Sequence, residues 1–259
     1  MPSFAIHNIC GLELLDKLEV NESDKNKFII GNVLPDVSRI RKYNELDDLS
    51  KRKAIQRRKK ETHFRENQGK IIEYPNCEMF LDKYKEDVEN DIITLAYFFH
   101  LYTDYYYFTK IFNKIVTFYD ENMNVTDMKK ELKYVKINKT NEIVGASEFF
   151  SKRNNKGIYK EYSRCNSYLA KKHKFKIDSS ELYDYVDQYG FLTNIDETNS
   201  LYAYYAIRKL EKYVNDIDIK KDFQLLIFRE EDLDLLVKDV VDSFIKKYKK
   251  LLVKYCKVA

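Results

Sequence analysis

The chain contains little that would stop a helix: six glycines and three prolines in 259 residues. These two residues are the strongest breakers, glycine because an ordered backbone costs it most entropy and proline because it lacks the amide proton and clashes with the preceding turn. Their scarcity, with apolar residues recurring at three- and four-residue steps, predicts an all-α fold, a multi-helix bundle. The spacing puts helices near 3–20, 24–33, 45–68, 77–89, 91–119, 161–172, 179–189, 197–215 and 230–256. Turns are expected at Gly31 to Asp36 and around Tyr74-Pro75-Asn76. The last helix is the clearest, with a stripe from Leu233 through Val240 and Phe244 to Tyr255 behind the acidic start Arg229-Glu-Glu-Asp. That stripe is read as core packing or an oligomer seam.

Residues 120–160 interrupt the pattern. They are more polar and include Asn154-Asn-Lys-Gly157, so an insertion, a short hairpin or a connection is expected there. The expectation is a single helical domain over 1–259, made of an amino-terminal half of about 1–119, the polar insertion of about 120–160 and carboxy-terminal helices over about 161–259. With 44% hydrophobic and 15% aromatic residues the chain can bury a large core.

Only four histidines are present, and three of the segments that hold them also offer acidic neighbours. His100 and Asp104 form HLYTD, where residues four apart stand one turn above each other on a helix face. The run from Asp91 to Phe108 has no Gly or Pro and is apolar nearly all round, which marks a buried helix. A carboxylate inside such a run needs a cation, a donor network or a raised pKa. Asp36 follows Pro35 in Phe28-Ile-Ile-Gly-Asn-Val-Leu-Pro-Asp, on a turn that fixes its direction. His63 lies in ETHF, and His7 on the first helix beside Ile6 and Ile9. Taken singly, each has a plainer explanation: His7 as a core histidine, Asp36 as the N-cap of a following helix, His63 as a surface residue. Together the five supply the imidazoles and carboxylates that zinc accepts.

The segments Pro2-Ser-Phe-Ala-Ile-His7, Phe28 to Asp36, Lys60-Glu-Thr-His63-Phe and Ala96-Tyr-Phe-Phe-His100-Leu-Tyr-Thr-Asp104 resemble, in wording and order, the zinc-dependent phospholipase C family, including its small bacterial members without a secretion signal. The resemblance covers about the first ~110 residues. It implies one zinc held by Asp36, His63, His100 and Asp104, and a second ion between His7 and a bridging Asp104. It departs from the secreted members in two ways. Six residues precede His7, and beyond Asp104 the only histidine is His173, in the cationic Lys171-Lys-His-Lys, read as a surface residue. The three-zinc arrangement is therefore not expected.

A divalent ion lowers the pKa of water to about 7 and polarises a phosphoryl oxygen, so hydrolysis of a phosphate ester is the expected reaction. Asp36 is the expected catalytic group, orienting or deprotonating the water, as the resemblance implies. The expected partner is a phosphate-ester small molecule or a lipid headgroup. Two alternatives stay open: a helical binding or regulatory protein that keeps one structural zinc, and a nucleotide-directed phosphodiesterase or nuclease.

The cationic run Lys51 to Lys60 can attract an anion or simply form a solvated face. Net charge is +4, from 46 basic and 42 acidic side chains, so nucleic acid is not the favoured partner. Of the tyrosines at 97, 102 and 105–107, one is expected near the substrate and the rest in the core. Glycine-rich nucleotide loops and a nucleophile elbow are missing from the sequence. No secretory signal or transmembrane-length run is visible, and Cys10, Cys77, Cys165 and Cys256 form no CxxC pair, so a cytoplasmic protein is expected.

Overall fold

The computed structural model describes residues 4–37, 59–66, 69–198, 202–217 and 224–255, and these are mostly helical. Helix α1, Phe4–Leu15, is buried on nearly every side. Helix α2, Glu22–Gly31, begins where Asn21 Oδ1 accepts the amide of Asp24 at 2.9 Å. Glu22 and Asp24 sit in its first turn, where the helix dipole favours carboxylates. A 3-10 turn, Leu34–Asp36, follows, with Pro35 inside it, at the place the sequence assigns to a turn.

Helix α3, Cys77–Asn90, is capped by Asn76, whose side chain accepts the amide of Met79 at 3.0 Å. Helix α4, Ile92–Tyr106, is capped by Asp91, whose Oδ2 accepts both the amide and the hydroxyl of Thr94. Every residue from Ile92 to Asp104 is buried, so α4 is the element around which others pack. Gly31 sets the closest of these crossings. A Cβ there would lie 2.9 Å from the carbonyl oxygen of Ile93 and 3.0 Å from Ala96 Cβ, so only glycine lets α2 touch the backbone of α4. That contact brings the Leu34–Asp36 turn alongside α4.

The predicted helix over 91–119 is shorter than expected. After Tyr106 the chain passes through a wider π turn, Tyr107–Phe112, and one helical turn, Asn113–Ile115, then extends into strand β1, Val116–Tyr119. Val116-Thr-Phe-Tyr are β-branched and aromatic residues that suit a half-buried pleated surface. Neither Gly nor Pro marks the change. The polar insertion is a meander in which β1 pairs with β2, Tyr134–Ile137, and β2 with β3, Glu142–Gly145, both antiparallel. Val116 stands opposite Ile137 and Tyr134 opposite Gly145. Val116, Phe118, Val135 and Ile137 face the core.

A short helix α5, Ala146–Phe149, leads on to α6, Ile158–Lys172, α7, Ser179–Tyr189, and α8, Tyr202–Asp216. Helix α9, Glu230–Tyr248, continues as a 3-10 helix over Lys249–Tyr255. Its apolar stripe is buried within the chain and packs against α1 and α4, which makes it core. Glu161 on α6 is fully buried and accepts the amides of Leu226, Ile227 and Phe228 at 2.8, 2.8 and 3.1 Å. It ties α6 to the segment entering α9. Of the helix expected over 45–68, residues 59–66 lie within the described residues: 59–62 are helical, and the chain leaves the helix at His63, earlier than the sequence pattern predicts. Most of the run Lys51 to Lys60, and Cys256, lie outside them. No helix of the described residues is long and apolar enough to cross a membrane.

Candidate metal centre

Four segments distant in sequence meet at one end of α4. Helix α1 supplies His7, the 3-10 turn supplies Asp36, the segment after 59–62 supplies His63, and α4 supplies His100 and Asp104. All five side chains are buried: Asp36 is 7% exposed and the other four 1% or less. The fold therefore brings together every residue singled out from the sequence, including His63, which is fully buried among the five and not at the surface.

Their donor atoms form two overlapping groups, His7 with His100 and Asp104, and Asp36 with His63 and His100, and within each group these atoms lie within 4.8 Å of one another. His7 and His100 stack with ring centres 3.8 Å apart and planes at 8°. Asp104 lies between the groups: Oδ1 is 3.2 Å from His7 Nε2, and Oδ2 is 3.7 Å from His63 Nε2. His63 Nε2 is also 3.6 Å from Asp36 Oδ1. His100 is the residue common to both groups.

Nε2 of His7, His63 and His100, with Oδ1 of Asp36 and Asp104, are buried atoms without a hydrogen-bond partner. Most buried polar atoms are paired, and leaving one bare costs about 1–3 kcal/mol. For His100 the protonation pattern is fixed. Its Nδ1 lies 2.8 Å from the backbone oxygen of Asn32, which can only accept. The proton is therefore on Nδ1, and Nε2 carries a lone pair into the cluster. A carbonyl fixing the far nitrogen is the usual support of a metal-binding histidine.

Local structure explains the convergence. Asn32 Nδ2 donates to the carbonyl of His7 at 2.8 Å, so Asn32 holds both stacked histidines. Tyr97 on α4 donates its hydroxyl to the carbonyl of Thr62 at 2.6 Å, fixing the residue before His63. Phe64 has φ of +50°, a left-handed conformation that a bulky residue adopts only when its surroundings impose it. Those surroundings are Phe80 and Tyr84, against whose rings Phe64 packs edge-on. The turn at Phe64 sends both flanking side chains to one carboxylate: Arg65 Nη2 lies 2.8 Å from Asp104 Oδ2, the oxygen that His63 also faces.

Burial alone would raise the pKa of Asp36, yet Lys209 and Lys59, aided by His63, more than offset it and hold the carboxyl well below the usual range. Asp104 is also held down against its burial, by His7 and Arg65. Burial lowers both His63 and His100, and the neighbouring His7 lowers His100 further. The centre therefore holds ionised carboxylates beside neutral imidazoles at His63 and His100, the protonation states that metal binding requires. These buried groups can hold a metal ion. The buried thiols fit less well, since burial pushes Cys77 up to about 12 and Cys10 higher still.

Arg65, Asn32 and Lys209 are functional neighbours that sequence reasoning missed. Arg65 stands two residues past His63 and Asn32 lies inside the Phe28 to Asp36 segment, so both were within reach. Nothing local marks Lys209, which comes from α8. His173 corrects an expectation: it is partly buried, with Nδ1 3.3 Å from Glu13 Oε1, and is not simply solvated. Among the tyrosines, Tyr97, Tyr102 and Tyr107 are core residues. No protein-family model matches this chain, and neither a curated protein nor a solved structure matches it.

Proposed function

We propose that the chain is a metal-dependent phosphoric ester hydrolase of the phospholipase C type, with zinc as the ion. One observation carries the proposal: five buried residues from four segments each present an unpartnered donor atom in two overlapping triads that share His100. Three imidazoles and two carboxylates match the ligand chemistry of zinc. His7, Asp36, His63, His100 and Asp104 would hold it. An imidazole nitrogen has one lone pair, so the sharing of His100 favours one ion in a common shell over two separate ions each bound by a complete triad. When bound, the ion supplies Lewis acidity toward a phosphoryl oxygen and makes water acidic enough to ionise near neutral pH.

The remaining chemistry falls to the chain's own residues. Asp36 faces the cavity beside the centre and would orient the attacking water. Its carboxyl holds a proton too weakly to store one, which favours orientation over lasting proton abstraction. Arg65 balances Asp104, and the cationic groups around Asp36 would neutralise charge on the phosphate. The test is hydrolysis of bis(para-nitrophenyl) phosphate by protein stripped with a chelator and then given zinc. Turnover that disappears on stripping, returns with zinc and is absent from His100→Ala supports the proposal. Turnover that survives stripping, or never occurs with zinc bound, contradicts it.

A further inference from the structure

A cavity of about 430 Å³ lies against the centre, and its lining is cationic. Among the described residues Lys59, Arg65, Lys152 and Lys209 line it, against a single carboxylate, Asp36, through which it meets the buried cluster. Lys209 Nζ is 4.0 Å from Asp36 Oδ2, too far for a hydrogen bond, and is anchored by donating to the backbone oxygen of Asp36 at 2.7 Å. Its charge is positioned by the main chain beside the Asp36 carboxylate, which it helps to keep ionised.

One face of α6 forms another wall. Tyr159, Tyr162, Ser163 and Asn166 share that face by helical spacing, and all of them line the cavity. Asn166 is 9% exposed, and its Oδ1 is buried without a hydrogen-bond partner. An amide oxygen in that condition is satisfied by a ligand that donates to it.

We propose that this cavity binds a small, multiply anionic phosphate ester, its phosphate held by Arg65, Lys152 and Lys209 and a hydroxyl of its other group donating to Asn166, and that it rejects zwitterionic headgroups of the choline type. The proposal rests on the hydrolase reading, since it names the substrate class of that reaction. The aromatic groups decide against choline. A quaternary ammonium is recognised by open aromatic faces, but of the four rings that line the cavity the chain's own cations sit over two, Tyr159 and Phe4, and a third, Tyr213, is stacked on Phe4. Lys152 Nζ is 5.5 Å from the centre of the Tyr159 ring and Lys209 Nζ is 5.7 Å from that of Phe4. A second cation would meet repulsion where a choline site offers attraction.

Calorimetric titration with glycerol phosphate and with phosphocholine, each with and without zinc, tests this. Glycerol phosphate is expected to bind about tenfold more tightly than phosphocholine. Lys152→Gln, at an exposed position where folding is not at stake, is expected to weaken glycerol phosphate by about fivefold to tenfold, and Asn166→Leu to weaken it comparably. Equal or tighter binding of phosphocholine, or parental affinity in both variants, overturns the proposal. Elemental analysis of the same samples separates the two claims. Selective anion binding by protein that retains no zinc leaves the anion site standing and removes the hydrolase; retained zinc without selectivity does the reverse.

Discussion

His100 Nδ1 donates to the backbone oxygen of Asn32 at 2.8 Å, and the Asn32 side chain donates to the carbonyl of His7 at the same distance. One residue, just past the end of α2, thus holds the ring of one stacked histidine and the backbone of the other, on two different helices. Asn32→Leu removes the side-chain bond that ties α1 to the end of α2 at His7, while the backbone bond to His100 remains. Metal affinity is expected to fall about 10–100-fold, as for loss of other supporting bonds behind metal ligands, and stability by roughly 1–3 kcal/mol. Zinc titration against a competing chelator and urea unfolding read the two effects. Unchanged affinity would show that Asn32 does not orient the ligands.

Gly31 is the point at which α2 meets the backbone of α4. Gly31→Ala places a methyl group 2.9 Å from the Ile93 carbonyl oxygen, and backbone cannot step aside as a flexible side chain can. The expected loss is about 1–3 kcal/mol in urea unfolding. Zinc affinity is expected to fall with it, because the same crossing positions Asp36. A variant as stable as the parent would mean that the two helices can separate freely.

Arg65 is the closest cation to Asp104, a carboxylate with no exposure at all. Arg65→Met leaves that charge without its partner, and in metal-free protein the expected cost is about 3–5 kcal/mol. Zinc is expected to restore most of it, so the stabilisation gained on adding zinc should exceed that of the parent. Equal zinc-dependent shifts in thermal unfolding would contradict a metal placed at Asp104.

The acid response of the metal-free chain has a definite sign. Burial lowers His63 and His100 from their ordinary value of 6.5, so below that pH the unfolded chain takes up protons that the folded chain refuses. Their contribution is complete above 6.5 and lost as pH falls. Asp36 and Asp104, held below the ordinary 3.8, add a second loss at more acidic pH by the same logic. Urea midpoints should therefore fall in two stages from neutral pH downward. A midpoint that is flat or rises between neutral pH and pH values near 5 would contradict neutral buried imidazoles.

Much of the centre was legible because its residues break local expectation. Asp104 is a carboxylate in an apolar helix and needs a cation whatever the fold, and Pro35 fixes the direction of Asp36. The helices were legible from periodicity and scarce breakers. The strand at Val116–Tyr119 was not, since a buried apolar run has no periodicity to separate helix from strand. Lys209 and Asn166 stayed hidden for another reason: each is an ordinary polar residue on an amphipathic helix, and only the packing of α6 and α8 turns it toward the centre. The positive φ of Phe64 was equally invisible, because the aromatic packing that imposes it comes from α3.

The central claim is that five side chains share one ion, and elemental analysis of protein purified without chelator tests it most directly. The parent and His173→Ala are expected to retain about one zinc per chain, while His100→Ala and Asp104→Ala retain little. Equal metal content in all four proteins, or none in the parent after zinc is supplied, would contradict the account.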